Sequence, residues 1–168
     1  DGPLTAQQAQ NRSRMVEHTP THPRLKEESP QGRREPLTIG TLFVPARARS
    51  KSALVIHFHG ATWLPVVAVV KAGGMAVISI QLGSGSSMYG KPFTDPTMFG
   101  RLVSEAERKA GMKFSPILLT SWSAGYGAVR EILREPANYA RVDRVLLIDG
   151  LHAGYAGGAP GTGSGRES

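Results

Sequence analysis

The sequence predicts an α/β fold: a doubly wound, mostly parallel sheet with helices on both faces. Short, nearly continuous apolar runs recur at residues 53–58 (ALVIHF), 75–80 (MAVISI), 117–120 (ILLT) and 142–148 (VDRVLLI). This is the pattern of strands buried on both faces. Stretches of helical character separate the runs, and glycine or proline marks each switch. Regular alternation of this kind closes into a parallel sheet covered on both sides.

Taken in order, residues 1–36 are rich in Gln, Arg, Glu and Pro without a sustained period, and read as an irregular lead-in able to supply one edge strand. Residues 37–45 (LTIGTLFVP) read as a strand that stops at a proline, which cannot continue a ladder. The strand at 53–58 closes on His59-Gly60. A short helix over 63–72 then ends at Gly73-Gly74, before the strand at 75–80. A Gly/Ser loop over 83–90 leads to Thr94-Asp95-Pro96, a capping pair before a first-turn proline, and predicts a helix over 95–110 stopped by Gly111. A strand over 116–120, a helix over 124–134 and a strand over 142–148 follow. Residues 37–155 make up the ordered domain, and 156–168 read as a flexible Gly/Ser-rich tail.

Composition sets limits on function. A chain of 168 residues with 40% hydrophobic content is the size of one domain with a core. The net charge of +7 comes from scattered basic residues, with no basic face interleaved with aromatics, so solvated surface charge is expected rather than a nucleic-acid partner. Without cysteine there is no disulfide or thiolate chemistry. The longest apolar stretch, near Trp63 to Val70, is interrupted by Pro65 and ends at Lys71, too short for a membrane span. His57 and His59, at i and i+2, make a poor metal site, so no metal is expected. The run Gly83-Ser84-Gly85-Ser86-Ser87 lacks the lysine of a phosphate loop; a flexible loop and no cofactor are expected. The chain starts at Asp1 rather than methionine, which fits leader removal from a secreted or periplasmic protein, or a piece of a longer one.

The most informative stretch is ILLTSWSAGYGAV, residues 117–129, where a buried strand passes into a helix through Ser121-Trp122-Ser123-Ala124-Gly125. A sharp turn there strains the central residue and requires small residues two positions away, which Ser121 and Gly125 are. The turn places the Ser123 hydroxyl at the positive end of the following helix, beside the Ala124 N–H. In these residues the chain resembles the α/β-hydrolase family, of serine esterase or lipase type, whose elbow G-x-S-x-G appears here as S-W-S-A-G.

That resemblance implies a serine hydrolase acting on a small-molecule ester, amide or related acyl bond, with Ser123 as nucleophile. It implies an oxyanion hole from Ala124 and the His59-Gly60 loop, with Ala61 or Thr62 giving the second N–H and Gly60 allowing the turn. His59 and Trp122 would line the substrate pocket, whereas His57, inside its strand, is expected to be a satisfied structural histidine. Asp149, at the end of a later strand, matches the triad acid, and His152 is the one histidine after it. Because His152 follows so closely, the family's base is expected beyond this chain. The resemblance spans about residues 37–155, roughly two-thirds of such a domain, and the chain alone is expected to be weakly active or inactive. Its last strand would then be an open edge able to self-associate.

Overall fold

The computed structural model describes residues 25–48 and 51–150. Their backbone forms a six-stranded mixed sheet, mostly parallel, in the order β1-β2-β4-β3-β5-β6. The strands are β1 (Gly32–Pro36), β2 (Thr41–Pro45), β3 (Lys51–Phe58), β4 (Ala76–Ile80), β5 (Lys113–Trp122) and β6 (Arg144–Ile148). β1 pairs antiparallel with β2, and β2 antiparallel with β4; β4, β3, β5 and β6 run parallel. The helices are α1 (Trp63–Lys71), α2 (Ser86–Gly90), α3 (Met98–Ala110), α4 (Tyr126–Arg134) and α5 (Pro136–Tyr139), with 3₁₀ turns at Lys91–Thr94 and Ser123–Gly125.

Strand alternation sorts the apolar side chains onto two faces. Leu42, Leu54, Ile56, Phe58, Ile78, Ile80, Ile117 and Leu119 join Tyr89 of α2, Phe99 and Leu102 of α3, and Val129 and Ile132 of α4 in the larger core. Phe43, Val55 and Val77 pack on the opposite face with Val66 and Val69 of α1. β4 is buried throughout and β3 over its last five residues, as two-sided burial requires.

The α/β class and the helices on both faces agree with the sequence, but several boundaries move. The run 37–45 is not one strand: Leu37 donates to the Gly40 carbonyl (3.1 Å), and Gly40, at φ 77°, turns the chain between β1 and β2. β1 is thus the edge strand within the lead-in. β5 begins earlier and ends later than 116–120. Pro116, which cannot donate to the ladder, is passed by a register shift between Ser52 and Leu54 of β3. The helix expected from residue 95 starts at Met98. Ahead of it the Asp95 carboxylate accepts from the Thr97 N–H (2.9 Å) and hydroxyl (2.7 Å), holding an Asx turn. Gly111, at φ 70°, ends α3 as expected. The Gly/Ser run over 83–90 is not all loop: its second half is α2, pinned by the fully buried ring of Tyr89. The short α5 was not expected.

Candidate active site

From β3 the chain crosses to β4 on one side and then returns past β3 to β5 on the other, so the loops leaving β3 and β5 diverge. In an open parallel sheet this reversal opens a crevice at the carboxyl ends of the strands. The register places the two loops side by side: Phe58 pairs with Ser121, so His59 and Gly60 emerge next to Trp122 and Ser123.

Ser123 adopts φ 43°, a left-handed conformation rarely taken by a residue other than glycine. It opens the 3₁₀ turn Ser123–Gly125, which runs directly into α4. N–H groups in such a first turn have no intrahelical acceptor, and the helix dipole makes this end positive. Glycine at 125 is obligatory, because a Cβ there would lie 2.2 Å from the Phe58 carbonyl oxygen. Ser121 is fully buried, and its hydroxyl has no partner among the described residues.

The turn after β3 carries a second pair of strained residues, His59 at φ 73° and Gly60 at φ 101°. The His59 imidazole stacks on Trp122, with centroids 5.4 Å apart and planes within 17°. Its Nδ1 lies 2.7 Å from the Tyr89 hydroxyl. The Gly60 N–H donates to Gln81 Oε1 at 2.9 Å, so the contribution of Gly60 is conformational and the next donor in the loop belongs to the exposed Ala61. Trp122 keeps 46% of its surface exposed.

His57, one position inside β3, pairs its Nδ1 with the Thr120 hydroxyl at 2.7 Å. Burial lowers its pKa below the ordinary 6.5, a nearby His59 charge acts in the same direction, and a backbone contact with His59 partly opposes them. It is the satisfied strand histidine that the sequence suggested.

Asp149 follows β6 directly, exposed and at φ 51°. Trp122 pairs with Ile148, so Ser123 and Asp149 leave neighbouring strands at the same level. The turn behind Asp149 lies beside the Ser123 turn, since a Cβ added at Gly150 would come within 3.7 Å of the Ser123 carbonyl oxygen. Ser123, Ala124, His59, Gly60, Ala61, Trp122 and Asp149 thus gather at one edge of the sheet, while His152 lies outside the described residues. Trp63 is elsewhere, lining a cavity of about 290 Å³ with Arg34, Phe43 and Val66 on the α1 side.

Gln81 and Tyr89, which contact the Gly60 N–H and His59 Nδ1, were not singled out in the sequence. The available signal was an aromatic residue inside a run otherwise read as flexible.

Among the described residues no helix is long and apolar enough to cross a membrane. No family model matches the chain, and no curated protein does. Solved structures similar to it include a crystal structure of a mutant of the esterase rPPE, at 11% identity and a TM-score of 0.46, covering 79% of this chain and 46% of that one. A second is a crystal structure of ESTFA in an Fe-lacking apo form, at 13% identity and a TM-score of 0.42, covering 83% of this chain and 52% of that one. The chain spans about half the length of these structures.

Proposed function

We propose that this chain carries the nucleophile-bearing part of a serine hydrolase of the α/β-hydrolase type, acting on an ester, amide or related acyl bond. The observation that carries the reading is Ser123 itself, a non-glycine residue held at φ 43° between a buried strand and a helix, with a glycine two positions on where a side chain would strike β3. The strain holds the hydroxyl at the crevice, where α4 points its positive end.

In this reading the Ser123 oxygen attacks the acyl carbon while its proton passes to a histidine base. The carbonyl oxygen becomes an oxyanion held by the Ala124 and Ala61 N–H groups. As the tetrahedral centre collapses, the base returns the proton to the departing alcohol or amine; water then releases the acyl group by the same steps in reverse roles. Asp149 orients the histidine, with His152 the candidate that this sequence supplies. His59 and Trp122 wall the substrate side of the crevice. We also propose that β6, which has no strand on its outer side among the described residues, pairs there with a strand of a second copy.

The test is turnover of a short-chain p-nitrophenyl ester by the chain and by His152→Ala. Robust turnover abolished by the substitution makes His152 the base. Weak turnover unchanged by it, at the residual level of roughly 10³–10⁴-fold over water seen when triad members are missing, assigns the chain instead as hydrolase-like without its own base.

A further inference from the structure

The Tyr89 hydroxyl, in a residue with no exposed surface, has four polar neighbours: the Leu82 N–H at 3.2 Å, Gln81 Oε1 at 3.0 Å, the Gly83 carbonyl at 2.8 Å and His59 Nδ1 at 2.7 Å. A phenol has one proton to give. Gly83 offers only an acceptor, and the Gln81 oxygen is fixed as an acceptor because it receives the Gly60 N–H. Given to one of these two carbonyl oxygens, the Tyr89 proton leaves room for three hydrogen bonds at the phenol, against two if it went to His59 Nδ1, so the first arrangement is favoured. The phenol oxygen receives the Leu82 N–H, and its remaining capacity is matched by a proton on His59 Nδ1. The neutral His59 ring is then the Nδ1–H tautomer, with its basic lone pair on Nε2.

Resting on the hydrolase reading, we propose that Tyr89 and Gln81 are positioning residues that lock the strained His59–Gly60 turn and so aim the Ala61 N–H at the oxyanion. Gln81 consumes the Gly60 N–H, which leaves the following amide as the loop's donor, and Tyr89 fixes the imidazole that Trp122 stacks upon. Holding two consecutive residues at positive φ without this clamp would leave the donor mobile, and misplacement by about 1 Å can cost on the order of 10²-fold in rate.

Two measurements on the whole chain test this. Nitrogen-15 NMR of the wild-type imidazole should show His59 protonated at Nδ1, with that preference lost in Tyr89→Phe; protonation at Nε2 in the wild type would overturn the assignment whatever the chemistry at Ser123. In parallel, the rate of Ser123 labelling by a fluorophosphonate should fall about 10-fold or more in Tyr89→Phe and in Gln81→Met, with the maximal labelling rate lowered and half-saturation unchanged. Thermal unfolding identifies any variant that has failed to fold, and the second variant then carries the test. Wild-type labelling matched by both folded variants would refute the clamp alone. Absence of wild-type labelling at Ser123 would mark a chain without a competent base and remove the clamp's catalytic role here, while the tautomer measurement still decides the contact between Tyr89 and His59.

Discussion

Three residues other than glycine take left-handed backbone in the described chain, His59, Ser123 and Asp149, and all three stand at the carboxyl edge of the parallel strands. Strain of this kind costs roughly 1–3 kcal/mol per residue and persists only where the surroundings enforce it. Gly125 is part of that enforcement. Gly125→Ala should lower stability by about 3 kcal/mol, the upper end of overpacking costs, because its methyl would meet backbone rather than a flexible side chain; chemical denaturation measures this. His57 gives a pH signature. Well above pH 6.5 its ring is neutral whether the chain is folded or not, and its bond to Thr120 counts in full. As pH falls below that value, the unfolded chain takes up a proton that the buried ring resists. Stability should then fall with a slope of at most about 1.4 kcal/mol per pH unit, and His57→Gln should flatten this acid limb in melting curves. The strained backbone at Ser123 and the turn at Gly60 were legible in the sequence because small residues flank strand-to-helix switches there. Tyr89 and Gln81 were not, since their work depends on partners brought close only by the crossover.

At the scale of elements, the central strands were legible because two-sided burial leaves a continuous apolar run, as in β3 and β4. The split between β1 and β2 was not, because a four-residue turn containing Leu37 and Ile39 looks like more strand until Gly40 is seen at positive φ. The junction of α3 with β5 rests on Glu107, whose carboxylate accepts from Lys113 Nζ at 2.7 Å and from the Phe114 N–H at 3.1 Å. Its pKa is lowered: burial works against the charged form, and the Lys113 and Phe114 bonds outweigh it. The stabilisation is present above the ordinary carboxylate pKa and is lost as pH falls through the lowered value. Glu107→Ala should cost about 1–2 kcal/mol, since it leaves the partly buried Phe114 amide unpaired, and urea unfolding at neutral pH checks it.

At the scale of the molecule, the two edges of the sheet formed by the described residues differ. β1 presents Arg33, Arg34 and Glu35, charges that discourage another strand from adding on. β6 presents Val145, Leu146 and Ile148, each more than 40% exposed. Concentration-dependent association is expected in sedimentation velocity, weakened by Leu146→Lys; a monomer at all concentrations would contradict edge pairing. The α/β architecture was readable from the alternation of runs, whereas the strand order, which places β3 beside β5 and so His59 beside Trp122, depends on crossovers that no local pattern records. That order makes the central claim testable in one measurement: react the chain with a fluorophosphonate and locate the adduct by peptide mass spectrometry, in the wild type, Ser123→Ala and Ser121→Ala. Where a competent histidine serves the site, the adduct should lie on Ser123, disappear in Ser123→Ala and persist in Ser121→Ala, whereas equal labelling of the two variants would place the nucleophile elsewhere.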